Sequence, residues 1–212
     1  MPDHIVVVFM KYPTPGRVKT RLAATLGAAG AADAYEQLTT ATLANLTNPP
    51  DGWQSWIAFD PPDHREQVAA WLRNNAPNFQ WHKLHPQPHG DLGARLWEVV
   101  HTALDKEKAP SVTLIGTDCP WIMPHHLAQA QHLLDRDSDI VFGPATDGGY
   151  YLQSMKSAVA EMFHEIPWST PNTFQACLDR ARELGLNVAL LEELTDVDTI
   201  ADWESWRKEL SP

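Results

Sequence analysis

Cysteine is nearly absent: Cys119 and Cys177 are the only two in 212 residues. Two thiols cannot build a disulfide framework, and such sparse use fits a reducing compartment. Long apolar runs are also missing. The run at the start, Ile5 to Met10, is too short for a signal-peptide core or a membrane span. A soluble, cytoplasmic protein is expected. Basic charge is scarce too, with 16 Lys and Arg against 27 Asp and Glu, for a net charge of −11. That field repels nucleic-acid backbones and anionic membranes, so neither is expected as a partner. No H-E-x-x-H or Cys/His ligand spacing links His82, His85, His89, His125 and His126, which argues against a zinc site. No G-x-S-x-G elbow supports a serine hydrolase.

What is present reads as an ordinary globular chain, with 43% hydrophobic and 20% charged residues, which excludes disorder. No linker, repeat or low-complexity tract interrupts it, so residues 1–212 are expected to form one domain. Ile5 to Met10 is β-branched and aromatic without alternation, as in a parallel strand buried on both faces. An Ala- and Leu-rich helix follows from Arg21 to Leu46, interrupted at Gly27 and Gly30. Strands are then predicted at 53–59, 79–84, 111–115 and 139–142, with helices at 63–74, 92–104 and 124–134 between them. Tyr150 to Leu152 follows turn chemistry and suits a strand antiparallel to its predecessor. A helix over 169–184 with Pro171 in its first turn, a strand at 187–191 and a helix at 200–210 complete the order. The alternation predicts an α/β three-layer fold with a mostly parallel, mixed sheet.

Ligands of open α/β sheets lie beyond the carboxyl ends of the strands, and four segments there carry polar chemistry. The first, Lys11 to Arg21, concentrates Lys11, Arg17, Lys19 and Arg21 in an otherwise acidic chain. Pro13, Pro15 and Gly16 shape the loop, and the following helix N-terminus offers free N–H groups to phosphate. Val18 stands where a P-loop needs glycine, so this is not a P-loop. A solvated basic turn is the plainer alternative. In the second, Gly116 to Pro120, Asp118 follows a buried strand and suits a divalent cation bridging phosphates, or else a simple cap. Cys119 beside it reads as a packing thiol. In the third, Gly143 to Tyr150, Asp147 is placed for an acceptor or the metal, while Gly148 and Gly149 permit close backbone approach; a plain hairpin turn is the alternative. The fourth, His89 to Leu96, offers Gly90, Asp91 as a helix cap, Gly93, and Arg95 facing solvent or phosphate. Most tryptophans, such as Trp71, Trp97, Trp203 and Trp206, read as packing. Trp121 and Trp168 sit near these segments and are candidates for stacking on a base or sugar.

The four segments resemble, in order, the bacterial DUF2064 family within the nucleotide-diphospho-sugar transferase (GT-A-like) superfamily. Asp196-Val197-Asp198-Thr199 further resembles the Asp-x-Asp-Thr segment that closes many nucleotidyltransferases of this fold, the 2-phospholactate guanylyltransferases among them. The resemblance implies a GT-A-like sheet with nucleotide held by Lys11, Pro15, Gly16, Arg17, Lys19, Arg21, Gly90, Asp91, Gly93 and Arg95. It implies Mg2+ (or Mn2+) on Asp118, with Asp196 and Asp198 as further ligands, and catalytic roles for Lys19, Arg21, Asp118 and Asp147. Asp147, Gly148, Gly149, Tyr150, Trp121 and Trp168 then face the second substrate, a small-molecule acceptor. The Lys19/Arg21 loop looks like that of nucleotidyltransferases acting on a nucleoside triphosphate, and the mid-chain Asp-x-Asp of metal-dependent glycosyltransferases is replaced by Asp118-Cys119-Pro120. Glycosyl transfer from a nucleotide sugar and noncatalytic nucleotide binding stay open beside nucleotidyl transfer.

Overall fold

Residues 5–10 contain nothing polar, and all but the half-buried Phe9 are buried accordingly. In the computed structural model, which describes residues 2–210, β1 (His4–Lys11) pairs in parallel with β2 (Trp53–Asp60) on one side and β4 (Val112–Ile115) on the other. Residues 1, 211 and 212 of the expected domain lie outside the described range. The sheet has seven strands in the order β3-β2-β1-β4-β6-β5-β7, with β3 at Lys83–Pro86, β5 at Ile140–Pro144, β6 at Tyr150–Met155 and β7 at Val188–Leu190. Only β6 runs against its neighbours β4 and β5. The sheet is therefore mostly parallel and mixed, as the sequence predicts.

Alternate residues of β1 feed two cores. Val6, Val8 and Met10 face Val68 and Leu72 of α2 (Arg65–Asn75) and Leu127 and Leu134 of α4 (Pro124–Asp135). Ile5 and Val7 face Leu96 and Val99 of α3 (Leu92–His101) and Cys177 of α5 (Thr173–Glu183). Each such side chain contributes about 1.5–3 kcal/mol of transfer free energy. A third cluster joins α1 (Thr20–Asn45) to α6 (Ile200–Glu209) through Leu22, Leu38, Val197, Trp203 and Trp206. No helix among the described residues is long and apolar enough to cross a membrane.

Several boundaries differ from the sequence expectation, each for a local reason. Phe79 was expected in a strand, yet β3 begins at Lys83. The Phe79 N–H instead closes a turn on the Ala76 carbonyl, and its ring is buried under α2. Pro171 was expected in the first turn of a helix, but α5 starts at Thr173, because residues 167–173 form a turn in which the Thr173 hydroxyl bonds to Pro167 O at 2.8 Å. The helix expected to reach Leu104 is α-helical only to His101 and widens into a π-turn over Thr102–Lys106. Gly27 (φ 72°) kinks α1.

The strand order reverses at β1. After β1 the chain moves outward to β2 and β3, and β4 returns on its other flank, which opens a crevice between the loops that follow β1 and β4.

Candidate functional site

Loops beyond the carboxyl ends of β1, β4, β5 and β7 meet at this crevice. The first, residues 12–19, leaves β1 with the Tyr12 N–H bonded to Asp60 O at 2.7 Å. Pro15, Gly16 and Arg17 are exposed at its tip, while Val18 is buried against Ala32 and Tyr35. Burying Val18 turns the next residue inward. Lys19 takes left-handed backbone (φ 43°) at the start of α1, and its side chain is only 5% exposed.

The Lys19 ammonium lies 2.8 Å from Asp118 Oδ1 and 2.8 Å from Asp198 Oδ1. Burial alone would lower its pKa, but the two carboxylates outweigh that and hold it above the usual lysine value. Arg21, exposed, reaches Asp198 Oδ2 at 3.3 Å. The contact to Asp198 is an aligned hydrogen bond. Asp118 Oδ1 is buried, with the Lys19 ammonium beside it.

Asp196 completes the cluster. Burial first, then the charges of Asp118 and Asp147, push its carboxyl up to about 7, with Lys19 opposing in part. Asp147 is exposed in the β5–β6 turn, where its Oδ1 accepts the Gly149 N–H at 2.8 Å. The segment carrying Asp196 and Asp198 is held by backbone bonds: Leu194 N–H to Pro144 O at 3.1 Å, Thr146 N–H to Leu194 O at 3.0 Å and Val197 N–H to Asp118 O at 2.8 Å. Three carboxylates, Asp118, Asp196 and Asp198, thus surround Lys19, with Asp147 acting on Asp196 from the turn. An all-oxygen donor set suits a hard divalent cation such as Mg2+ or Mn2+.

The other expected residues are distributed around this centre. Asp91 caps α3, accepting the Ala94 N–H at 2.8 Å. Arg95 turns to the end of β2, 3.6 Å from Asp60 Oδ2, and donates to Gly90 O at 3.1 Å. Lys11 is exposed. Gly93 has a packing reason, since a Cβ there would collide with the Phe163 carbonyl oxygen and the Trp168 indole. Gly148 has φ +87°, and a Cβ there would meet Pro171 O. The Trp168 indole N–H is buried without an acceptor. Trp121 donates to Glu209 Oε2 at 2.8 Å and packs towards α1 and α6. The Tyr150 hydroxyl turns inward to Gln153 Oε1 at 3.0 Å. Cys119 is buried, and burial raises its thiol pKa, as befits a packing residue.

Tyr35 escapes sequence reasoning, being one tyrosine in an Ala-rich helix with no motif around it. Its hydroxyl accepts the Lys11 N–H at 2.8 Å and bonds to Thr117 Oγ1 at 2.9 Å. It thereby ties the ends of β1 and β4 together directly beneath the crevice. Among the described residues, His125, His126 and Glu192 are the only three whose potential ligand atoms all lie within 4.8 Å of one another; the aspartates of the crevice are not gathered that closely. His126 Nδ1, however, accepts the Met123 N–H at 2.9 Å. The ring proton is thus on Nε2, which lies 2.8 Å from Glu192 Oε1 and has no lone pair for a metal.

Residues 42–170 match the family model described as an uncharacterized protein conserved in bacteria, DUF2064. A solved structure from Desulfovibrio desulfuricans G20, provisionally described as a nucleotide-diphospho-sugar transferase, is 30% identical with a TM-score of 0.87, covering 100% of this chain and 89% of that one. A CMP:2-keto-3-deoxy-manno-octonic acid synthetase complexed with CTP is 16% identical with a TM-score of 0.60, covering 99% of this chain and 98% of that one. A mannosyltransferase from Pyrobaculum calidifontis in complex with GDP-Man and Mn2+ is 13% identical with a TM-score of 0.57, covering 97% of this chain and 60% of that one. Among curated proteins, none is similar enough in sequence to count as a match. The chain belongs to the bacterial DUF2064 family, and its fold is that of the nucleotide-diphospho-sugar transferases.

Proposed function

We propose that the protein is a divalent-metal-dependent nucleotidyltransferase that joins a nucleoside monophosphate unit, taken from a nucleoside triphosphate, to a small phosphorylated or hydroxylated acceptor. The observation that carries this reading is the pairing of Lys19 with Asp118 and Asp198, with Asp196 buried beside them and Arg21 at the rim. Asp118, Asp196 and Asp198 would hold Mg2+ or Mn2+, whose contribution when bound is to neutralise charge on the phosphates. The protein groups supply position and electrostatics. Lys19 and Arg21 face the leaving pyrophosphate, with Arg17 at the loop tip and the first N–H groups of α1 directed to the same phosphates. Asp147, in the turn opposite, orients the acceptor. An acceptor oxygen attacks the α-phosphorus, the α–β phosphoanhydride bond breaks, and pyrophosphate leaves in line.

The reading requires Lys19 to exchange partners, because its ammonium is held between two carboxylates. A triphosphate entering the crevice would offer it phosphate oxygens, and Asp118 and Asp198, released from Lys19, would be free to hold a divalent cation. Mn2+ titration of Asp118→Asn with a nonhydrolysable nucleoside triphosphate tests the reading. Mn2+ affinity is expected to fall at least about tenfold. Retained affinity together with retained turnover overturns it.

Glycosyl transfer is a second reading, favoured by the fold shared with a mannosyltransferase in complex with GDP-Man and Mn2+. In that case the same cations would face a nucleoside diphosphate leaving group.

A further inference from the structure

Outside the crevice, the His126 side chain is only 3% exposed. We propose that His126, acting through Glu192, is a positioning residue that holds the segment carrying Asp196 and Asp198 against Asp118; the inference rests on the metal reading above.

Both ring nitrogens of His126 are committed, and each to a different part of the fold. Nδ1 accepts the N–H of Met123, the residue that caps α4. The helix behind it is anchored by Leu127, Ala130 and Leu134 in the main core, so the ring is a fixed post. Nε2–H donates to Glu192 Oε1 at 2.8 Å. That bond lowers the Glu192 pKa and so favours the carboxylate as acceptor. The backbone of the same residue is gripped from the sheet, where the Tyr151 hydroxyl donates to Glu192 O at 3.1 Å.

Glu192 is the point at which the chain leaves β7 for the crevice. Beyond it, Val197 is fully buried in the cluster under α6, while Asp196 and Asp198 flank it. Successive residues of an extended segment alternate in direction. Seating Val197 inward therefore sends both carboxylates the other way, towards Asp118 and Lys19. Repulsion among Asp118, Asp147, Asp196 and Asp198 acts to lift the segment off. The backbone bonds of Leu194 and Val197 resist this locally. The His126–Glu192 bond is a side-chain tether that fixes where the segment begins.

Hydrogen–deuterium exchange of the whole protein, with Mn2+ titration by electron paramagnetic resonance, tests the proposal. Asn at position 126 keeps an acceptor for the Met123 N–H and cannot reach Glu192, so His126→Asn separates the helix cap from the tether. Glu192→Ala cuts the tether from an exposed carboxylate, and Glu192→Gln keeps an acceptor oxygen. In His126→Asn and in Glu192→Ala the Leu194 and Val197 amides are expected to exchange about tenfold faster, with the first turn of α4 unchanged. The double variant is expected to add nothing to either single one, and Glu192→Gln to restore most of the protection. Mn2+ affinity is expected to fall in step with the protection. Unchanged exchange in both single variants, additive effects, or faster exchange with Mn2+ affinity intact overturns the positioning role. A wild-type protein that binds no Mn2+ overturns the metal reading instead, and the exchange pattern alone then decides whether His126 orders the segment.

Discussion

Lys19 is the residue at which the demands of the site conflict. Its ammonium neutralises Asp118 and Asp198 within the protein, and in the proposed nucleotidyl transfer the same charge would be needed by a phosphate ligand. The conflict gives Lys19→Met opposite effects on two ligands. Pyrophosphate affinity is expected to fall about ten- to a hundredfold, the worth of one charge-assisted contact. Mn2+ affinity of the nucleotide-free protein is expected to rise, by about tenfold if removing the ammonium relieves about 1.4 kcal/mol of opposing charge. Calorimetric titration with each ligand measures both; a fall in Mn2+ affinity would show that Lys19 does not compete for these carboxylates. His4 is the residue where stability depends on pH. It is fully buried, bonded to Ser111 Oγ at 2.6 Å and Thr113 Oγ1 at 2.9 Å, and burial lowers its pKa to about 3. The unfolded chain takes up this proton near pH 6.5, whereas the folded chain refuses it down to about pH 3. The stability contribution is whole above about pH 6.5 and is lost as pH falls, by up to about 1.4 kcal/mol per pH unit. His4→Gln is expected to flatten this part of a pH series of urea denaturations, and an unchanged slope would count against the assignment.

Among the elements, the β5–β6 turn links the site to the packing around α5. Gly148 has φ +87°, its carbonyl accepts the Phe174 N–H at 2.9 Å, and the Pro171 carbonyl fills the space a side chain would need. Gly148→Ala is expected to cost about 1–3 kcal/mol, which lowers Tm by about 2–4 °C per kcal/mol in a chain of this length. It should also move Asp147. Differential scanning calorimetry checks the first effect, and a Tm unchanged within a degree would refute the steric argument. The same turn shows what a sequence conceals. Asp147-Gly148-Gly149 is readable as turn chemistry, but the partner that makes glycine necessary lies in residues 169–172, which read as the start of a helix. The β1 strand and the α1 kink at Gly27 were legible because their signals are local. Phe79 was misplaced because its apolar character fits a buried turn as well as a strand.

For the molecule as a whole, an excess of acidic charge surrounds the site that is proposed to receive an anionic nucleotide. The net charge of −11 leaves capture to a few cations at the crevice, and the sheet's reversal at β1 brings them to carboxylates nearly 180 residues away in sequence. The basic loop, Asp118 and the Asp196–Asp198 segment could each be picked out in the sequence as chemistry without a location. Their meeting could not, nor could the roles of Tyr35 and His126, because these depend on tertiary contacts with no motif of their own. The reaction can be read directly from its products. The protein would be incubated with Mg2+, each nucleoside triphosphate, a panel of nucleotide sugars and mixed phosphorylated and hydroxylated acceptors, with products identified by mass spectrometry. Pyrophosphate release from one nucleoside triphosphate, with a matching nucleotidyl–acceptor adduct, is the expected result. Release of nucleoside diphosphate from a nucleotide sugar, with no pyrophosphate formed from any triphosphate, would contradict it.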